Sequence, residues 1–279
     1  MTRSRRDFIR IVPAFGAFAI SVPAVARDQG GLAAVPAWPT PAPARGFPVD
    51  ESFPSQHPAL VKEMVAVSHF NLGRVRELVQ QHPELAKASW DWGYGDWETA
   101  LGAASHVGNR PIAELLLELG APPTIFSATM LGQLDVVKAC VAASPGLQRL
   151  RGPHGLTMMV HARAGGAPAS AVLNYLESLG NAGLPYRDDP MPSDERAALE
   201  GRYTFGDRPR DGFIVRIDKS QLLMTRIGAT ERTLFHQGAL AFHAAGAPGV
   251  KIRFEREGAN IAALTVWDPD PVVRARRSG

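Results

Sequence analysis

Cysteine is nearly absent from the 279 residues, with Cys140 standing alone. A single thiol cannot close an intramolecular disulfide, and it excludes any zinc or iron–sulfur site built from several cysteines of this chain. Charge is also sparse: 20% of residues are charged against 45% hydrophobic, a balance that suits a folded globular chain and excludes a mostly disordered one. The one long apolar run lies at the N-terminus and is broken by Pro13 and Pro23, so no segment reads as a membrane span of a mature chain. Motifs that carry chemistry are missing too. His-Glu-x-x-His, Ser-x-x-Lys and Gly-x-Ser-x-Gly do not occur, which removes the zinc-protease helix and the usual serine-nucleophile signatures.

What is present begins with an address. Ser4-Arg5-Arg6-Asp7-Phe8-Ile9-Arg10 precedes a modest apolar stretch and then Ala24-Val25-Ala26. The paired arginines Arg5 and Arg6, the aromatic Phe8 and a small-x-small site ending at Ala26 resemble a bacterial twin-arginine signal peptide. The resemblance implies engagement of the twin-arginine translocase, export of the folded chain to the periplasm and cleavage after Ala26. Loss of residues 1–26 removes four arginines against one aspartate and takes the formal net charge from +3 to zero. Without a concentrated basic surface, nucleic acid is not an expected partner. No stable membrane anchor is expected in the mature chain.

Seven prolines from Pro36 to Pro58 mark residues 27–58 as a semi-rigid, Pro-rich linker. Beyond it, apolar residues fall at helical spacing: Val75, Leu78 and Val79; Ile112, Leu115 and Leu116; Val137, Cys140 and Val141. The stretches come in pairs whose inter-helix turns lie near residues 70, 108, 132 and 166, a mean separation close to the roughly 33 residues of an ankyrin unit. Thr99-Ala100-Leu101-Gly102-Ala103-Ala104-Ser105-His106-Val107-Gly108 and, more weakly, Thr157 to Gly166 resemble the Thr-Pro-Leu-His-x-Ala-Ala-x-x-Gly signature of ankyrin repeats. Both lack its proline and its usual histidine, and Phe70 stands where a glycine belongs. On this resemblance residues 59–185 are expected to stack as ankyrin repeats.

From about Glu200 the periodicity switches to two. Lys251-Ile252-Arg253-Phe254-Glu255-Arg256 alternates charged and apolar positions, and about eight such short runs follow one another between turn-forming residues. Residues 196–277 are therefore expected to form an antiparallel β domain, after a linker at 186–195. Leu199-Glu200-Gly201-Arg202-Tyr203 at its start resembles the lipocalin-like β domain appended to exported bacterial hydrolases, a likeness that carries no functional residue with it. The expected fold is thus α + β and multidomain: an ankyrin-type helix-pair solenoid of about four degenerate repeats followed by a small antiparallel β-barrel or meander.

For function, the most informative run is Ser89 to Trp97, where Trp90, Trp92, Tyr94 and Trp97 are interleaved with turn formers. Such rings are common interface anchors, and these four are the expected partner-binding residues of a non-catalytic, exported protein–protein interaction module. The alternative is a small apolar ligand, or a hydrolase-accessory role, carried by the β-barrel through Phe213, Phe242, Phe254 and Trp267, with Phe235 beside them. Eight histidines are scattered without a recognised ligand spacing, His154 and His161 being seven apart, so no metal site, cofactor or catalytic residue is expected. Gly93-Tyr94-Gly95-Asp96-Trp97-Glu98 opens like a dinucleotide loop but carries Glu98 in place of the third glycine. Asp188-Asp189 and Asp268-Pro269-Asp270 read as solvated turn carboxylates.

Overall fold

Local capping fixes where the helices begin. A computed structural model describes residues 51–278; the twin-arginine motif, Ala26 and most of the Pro-rich stretch lie outside the described residues. Helix α1 (Pro58–Val67) is followed by α2 (Leu72–Gln81), whose first turn is capped by Asn71 Oδ1 accepting from the Arg74 N–H at 3.0 Å. A short hairpin, β1 (Ser89–Asp91) and β2 (Trp97–Thr99), leads into α3 (Ala100–His106) and α4 (Arg110–Glu118). Next come α5 (Ile125–Met130) and α6 (Leu134–Ala143), then α7 (Met158–Ala164) and α8 (Ser170–Ser178). Thr124 and Ser127 form a reciprocal capping box at the start of α5. Glycine is required at two of the turns. Gly108 and Gly132 have φ of +75° and +78°, and a Cβ there would sit 2.1 Å from the carbonyl oxygens of Ala164 and Pro168 respectively.

The helical region is not a repeat solenoid, which corrects the ankyrin-type expectation. Among the described residues, one inter-pair connection forms a hairpin. The link from α4 to α5 is short and irregular, and the link from α6 to α7 consists of 3-10 turns at Leu147–Arg149 and Pro153–Gly155 with one isolated bridge, Arg151 to Thr157. The buried side chains divide into two clusters, one around Met64, Leu78, Leu101 and Ile112 and one around Val137, Met158, Val172 and Leu176. Helical periodicity reports which face of one helix is apolar and says nothing of how successive pairs are joined. The described residues all fall within one compact unit, 49–279.

A short helix, α9 (Ser193–Ala197), precedes the strands β3 (Gly201–Thr204), β4 (Gly212–Asp218), β5 (Gln221–Arg226), β6 (Arg232–His236), β7 (Ala241–Ala244), β8 (Ala247–Glu257), β9 (Asn260–Asp268) and β10 (Asp270–Ser278). Each pairs antiparallel with its sequence neighbour, and β10 returns to pair with β3, Arg277 opposite Tyr203, so the sheet closes into an eight-stranded barrel. Closure removes the sheet edges. The β-barrel read from the alternating pattern is present. Tyr203, Phe242 and Phe254 fill its centre edge to face, with ring centroids 5.5–5.6 Å apart. The Tyr203 hydroxyl donates to Leu199 O at 2.7 Å, and burial pushes its phenol up to about 12. Along β6, the His236 N–H donates to Asp188 Oδ1 and the Asp189 N–H donates to His236 O, so the expected linker is bonded to the barrel wall. Among the described residues no helix is long and apolar enough to cross a membrane.

Candidate metal centre

Strand alternation places two carboxylates on one face of the β1–β2 hairpin. Asp96 and Glu98 are 3% and 0% exposed, whereas Trp97 between them is 62% exposed. The tip turns through three consecutive left-handed residues, Gly93, Tyr94 and Gly95, and Asp91 Oδ1 accepts the Gly93 N–H at 2.8 Å. Immediately after β2, Thr99 caps α3, whose buried length delivers His106 at its last residue. His69 occupies the matching place just beyond α1. The preceding serines are both buried and donate to the carbonyl four residues back, Ser68 to Met64 O at 2.7 Å and Ser105 to Leu101 O at 2.5 Å.

His154 comes from the 3-10 turn Pro153–Gly155. Its backbone is left-handed, φ +59°, an unfavourable conformation for a non-glycine residue. Asp96 secures it twice, accepting the His154 N–H at 2.8 Å and its Nδ1 at 2.9 Å. Asp96 in turn is paired with Arg232 of β6 at 2.5 Å, both side chains at most 5% exposed. Arg232 also donates to the carbonyls of Ala245 and Trp92 at 2.9 and 3.1 Å.

Around Glu98 three imidazoles converge. Glu98 Oε1 lies 3.0 Å from His106 Nδ1 and 3.3 Å from His154 Nε2, and Glu98 Oε2 lies 3.6 Å from His69 Nε2. One donor atom from each of the four residues falls within 4.8 Å of all the others. Glu98 Oε1 and His106 Nδ1 are both buried and, despite their approach, neither is in hydrogen-bond geometry with any partner. Two neighbouring groups are engaged. Trp92 Nε1 donates to Glu98 Oε2 at 2.8 Å, and His69 Nδ1 donates to Ala66 O at 2.9 Å. A carbonyl only accepts, so the His69 proton sits on Nδ1 and the Nε2 lone pair is free to bind a cation.

Charge in the cluster follows from its packing. Burial pushes the Glu98 carboxyl up, but the His106 and His154 imidazoles outweigh burial and hold it at about 2. Burial pulls His154 down, yet Asp96 and Glu98 raise it to about 9. Asp96 is held below the ordinary carboxylate range, its burial outweighed by His154 and Arg232. His161 stands one ring further, centroid 6.4 Å from His106; burial lowers it to about 4, and its Nδ1 donates to Thr157 O.

A pH dependence of the metal-free protein follows. His154 has a folded value of about 9 against an ordinary 6.5, so the stability it contributes is complete below about pH 6.5 and is lost as pH rises through about 9. Glu98 runs the other way: its contribution is present above about pH 4.5 and is lost as pH falls toward 2. The groups facing them are Asp96, Arg232, His69 and His106. In the presence of a chelator, the urea midpoint of the full chain should fall between pH 7 and 9.5, and His154→Gln should flatten that fall. An equal slope in both proteins would contradict the assignment.

The residues singled out by sequence are dispersed. Trp90 packs half-buried on the helical core, with Lys62 Nζ 5.7 Å from its ring centroid. Trp92 serves Glu98, Tyr94 packs against the barrel core, and Trp97 is exposed. Phe213 lines an opening at one end of the barrel, whereas Phe242 and Phe254 belong to its buried centre and Trp267 is 37% exposed on β9. Phe235 stacks on His243. Cys140 is half-buried and free. Sequence reasoning missed His69, Asp96, Glu98, His106 and Arg232, and gave His154 no ligand role. The recurring Ser-His pair at 68–69 and 105–106 and the Asp-x-Glu alternation at 96–98 were the available signals.

No family model matches the chain, and no curated protein matches it. Among solved structures, a crystal structure of SurE is similar at 25% identity, with a TM-score of 0.26 over 42% of this chain. The match spans 27% of that chain; a likeness this partial carries no argument about fold or activity.

Proposed function

We propose that this chain binds one divalent transition-metal ion of the Zn2+ class through His69 Nε2, His106 Nδ1, His154 Nε2 and Glu98 Oε1. The observation that carries the reading is the buried pair Glu98 Oε1 and His106 Nδ1, 3.0 Å apart and unbonded. Two such atoms left out of hydrogen-bond geometry are costly, and a shared cation satisfies both. Ligands about 2.0–2.1 Å from a tetrahedral ion lie roughly 3.3 Å from one another; Glu98 Oε1 is 3.0 Å from His106 Nδ1 and 3.3 Å from His154 Nε2, and the four donor atoms lie within 4.8 Å of one another. Three imidazoles with one carboxylate suit Zn2+, whereas Ca2+ and Mg2+ favour all-oxygen shells. Asp96 on His154, Ala66 O on His69 and Trp92 on Glu98 supply the outer hydrogen bonds that orient metal ligands.

Four protein donors fill a tetrahedral shell, so the role is structural and the centre non-catalytic. The ion joins four segments that no disulfide can tie: the end of α1, strand β2, the end of α3 and the turn at His154. This reading replaces the sequence expectation that no metal is held. The twin-arginine-like start supports it, since a chain exported folded can take its ion before transport. Of the aromatic run proposed to meet a partner, Trp97 is exposed and Trp90, half-buried, lines the same surface groove.

The test is metal content. After dialysis against trace Zn2+, the full chain should retain one equivalent, and His106→Ala and Glu98→Gln should each lose it while keeping the wild-type circular dichroism spectrum. Retention by both variants, or no retention by the wild type, would overturn the proposal.

A further inference from the structure

The hairpin that carries Asp96 and Glu98 also covers one end of the barrel. Between its tip and the barrel mouth lies a cavity of about 550 Å3, within the range of small-molecule sites. Its walls are mostly apolar: Tyr94 from the hairpin faces Phe205, Phe213, Met224 and Val273 from the barrel. The barrel centre beneath is packed with aromatic rings, so the space is confined to this end. Two guanidinium groups reach the walls, and they differ. Arg232 is already neutralised by Asp96. Arg226, at the end of β5, lies over the Phe205 ring, 5.5 Å from its centroid; Asp211, close enough to feel its charge, is ion-paired with Arg208 instead.

We infer that this cavity binds an amphiphilic monoanion, its apolar body between Tyr94 and the barrel end and its carboxylate, sulfate or phosphate head on Arg226. Arg226 is exposed at the cavity rim, where a wholly apolar occupant gains nothing from the guanidinium. An anionic head instead receives charge-assisted, two-pronged hydrogen bonds from the guanidinium. A cationic head is repelled. Val272 lines the opening and is 65% exposed, an apolar threshold at the solvent side. The inference does not depend on the metal: it rests on the cavity wall and Arg226.

The probe is dodecanoate, added below its micellar concentration to the full chain and followed by calorimetry and by tryptophan fluorescence, since Trp92 borders the cavity. Dodecanoate should bind about tenfold or more tightly than dodecanol, and dodecyltrimethylammonium should bind more weakly than either. Arg226→Gln should bring dodecanoate down to the affinity of dodecanol and leave dodecanol unchanged. Val272→Trp, at an exposed position where folding is not at stake, should obstruct both. No binding of dodecanoate, equal binding of acid and alcohol by the wild type, or full binding by Val272→Trp would overturn the inference.

Discussion

Asp96→Ala should unfold at a temperature roughly 6–20 °C below the wild type. The substitution leaves Arg232, 5% exposed on its side chain, as a buried cation without its anion, and breaking a buried pair from one side costs about 3–5 kcal/mol. Each kcal/mol moves the midpoint by about 2–4 °C at this chain length. The reverse change is expected to be milder. In Arg232→Met, Asp96 keeps the His154 N–H at 2.8 Å and its imidazole at 2.9 Å, so its charge stays partnered. The double variant should recover part of the loss of Asp96→Ala, because no orphaned charge remains. Thermal melts of the three proteins decide the matter; equal losses in both single variants would show that the pair is not what joins the hairpin to the barrel.

Loss of the ion should be comparable in size. A ligand that binds the native state alone stabilises it by about 4 kcal/mol when present at 1,000 times its dissociation constant, which corresponds to roughly 8–16 °C here. Chelator-treated protein should therefore melt that much lower than the Zn2+-loaded chain. In Glu98→Gln the difference between loaded and stripped protein should vanish, whatever its own midpoint. Asp96→Ala should retain some response but at an affinity about 10–100-fold weaker, since Asp96 holds His154 and its protonation state in place. A Zn2+ response that survives in Glu98→Gln would place the ion elsewhere.

The barrel was legible because strand alternation is a local property. Lys251 to Arg256 shows its buried face, Ile252 and Phe254, directly in the order of residues, and each strand then needs only its sequence neighbour. The helices were legible for the same reason, one at a time. Their assembly was not: a turn lacking proline, a hairpin after one pair and a pair of 3-10 turns after another are joined by long-range packing that no spacing reports. The candidate centre shows the same limit more sharply. His154 and His161 look related by their seven-residue separation, yet the structure turns His161 to Thr157 O and sends His154 to meet His69 and His106. What brings it there is a left-handed backbone held by Asp96, a residue 58 positions away.

The aromatic run illustrates how composition misleads when direction is unknown. Four rings within eight residues looked like one surface. The hairpin divides them: Trp97, turned outward beside an inward Glu98, shares a surface groove with Trp90, while the left-handed tip carries Tyr94 to the barrel. Trp92 then has two roles that no pattern suggested, donating to Glu98 and walling the cavity over the barrel mouth.

X-ray absorption at the zinc edge, on the full chain loaded with one equivalent, tests the central claim most directly. The account predicts four nitrogen or oxygen neighbours at about 2.0–2.1 Å, with the outer scattering of three imidazole rings. An all-oxygen shell without imidazole, or a sulfur neighbour from Cys140, would contradict it.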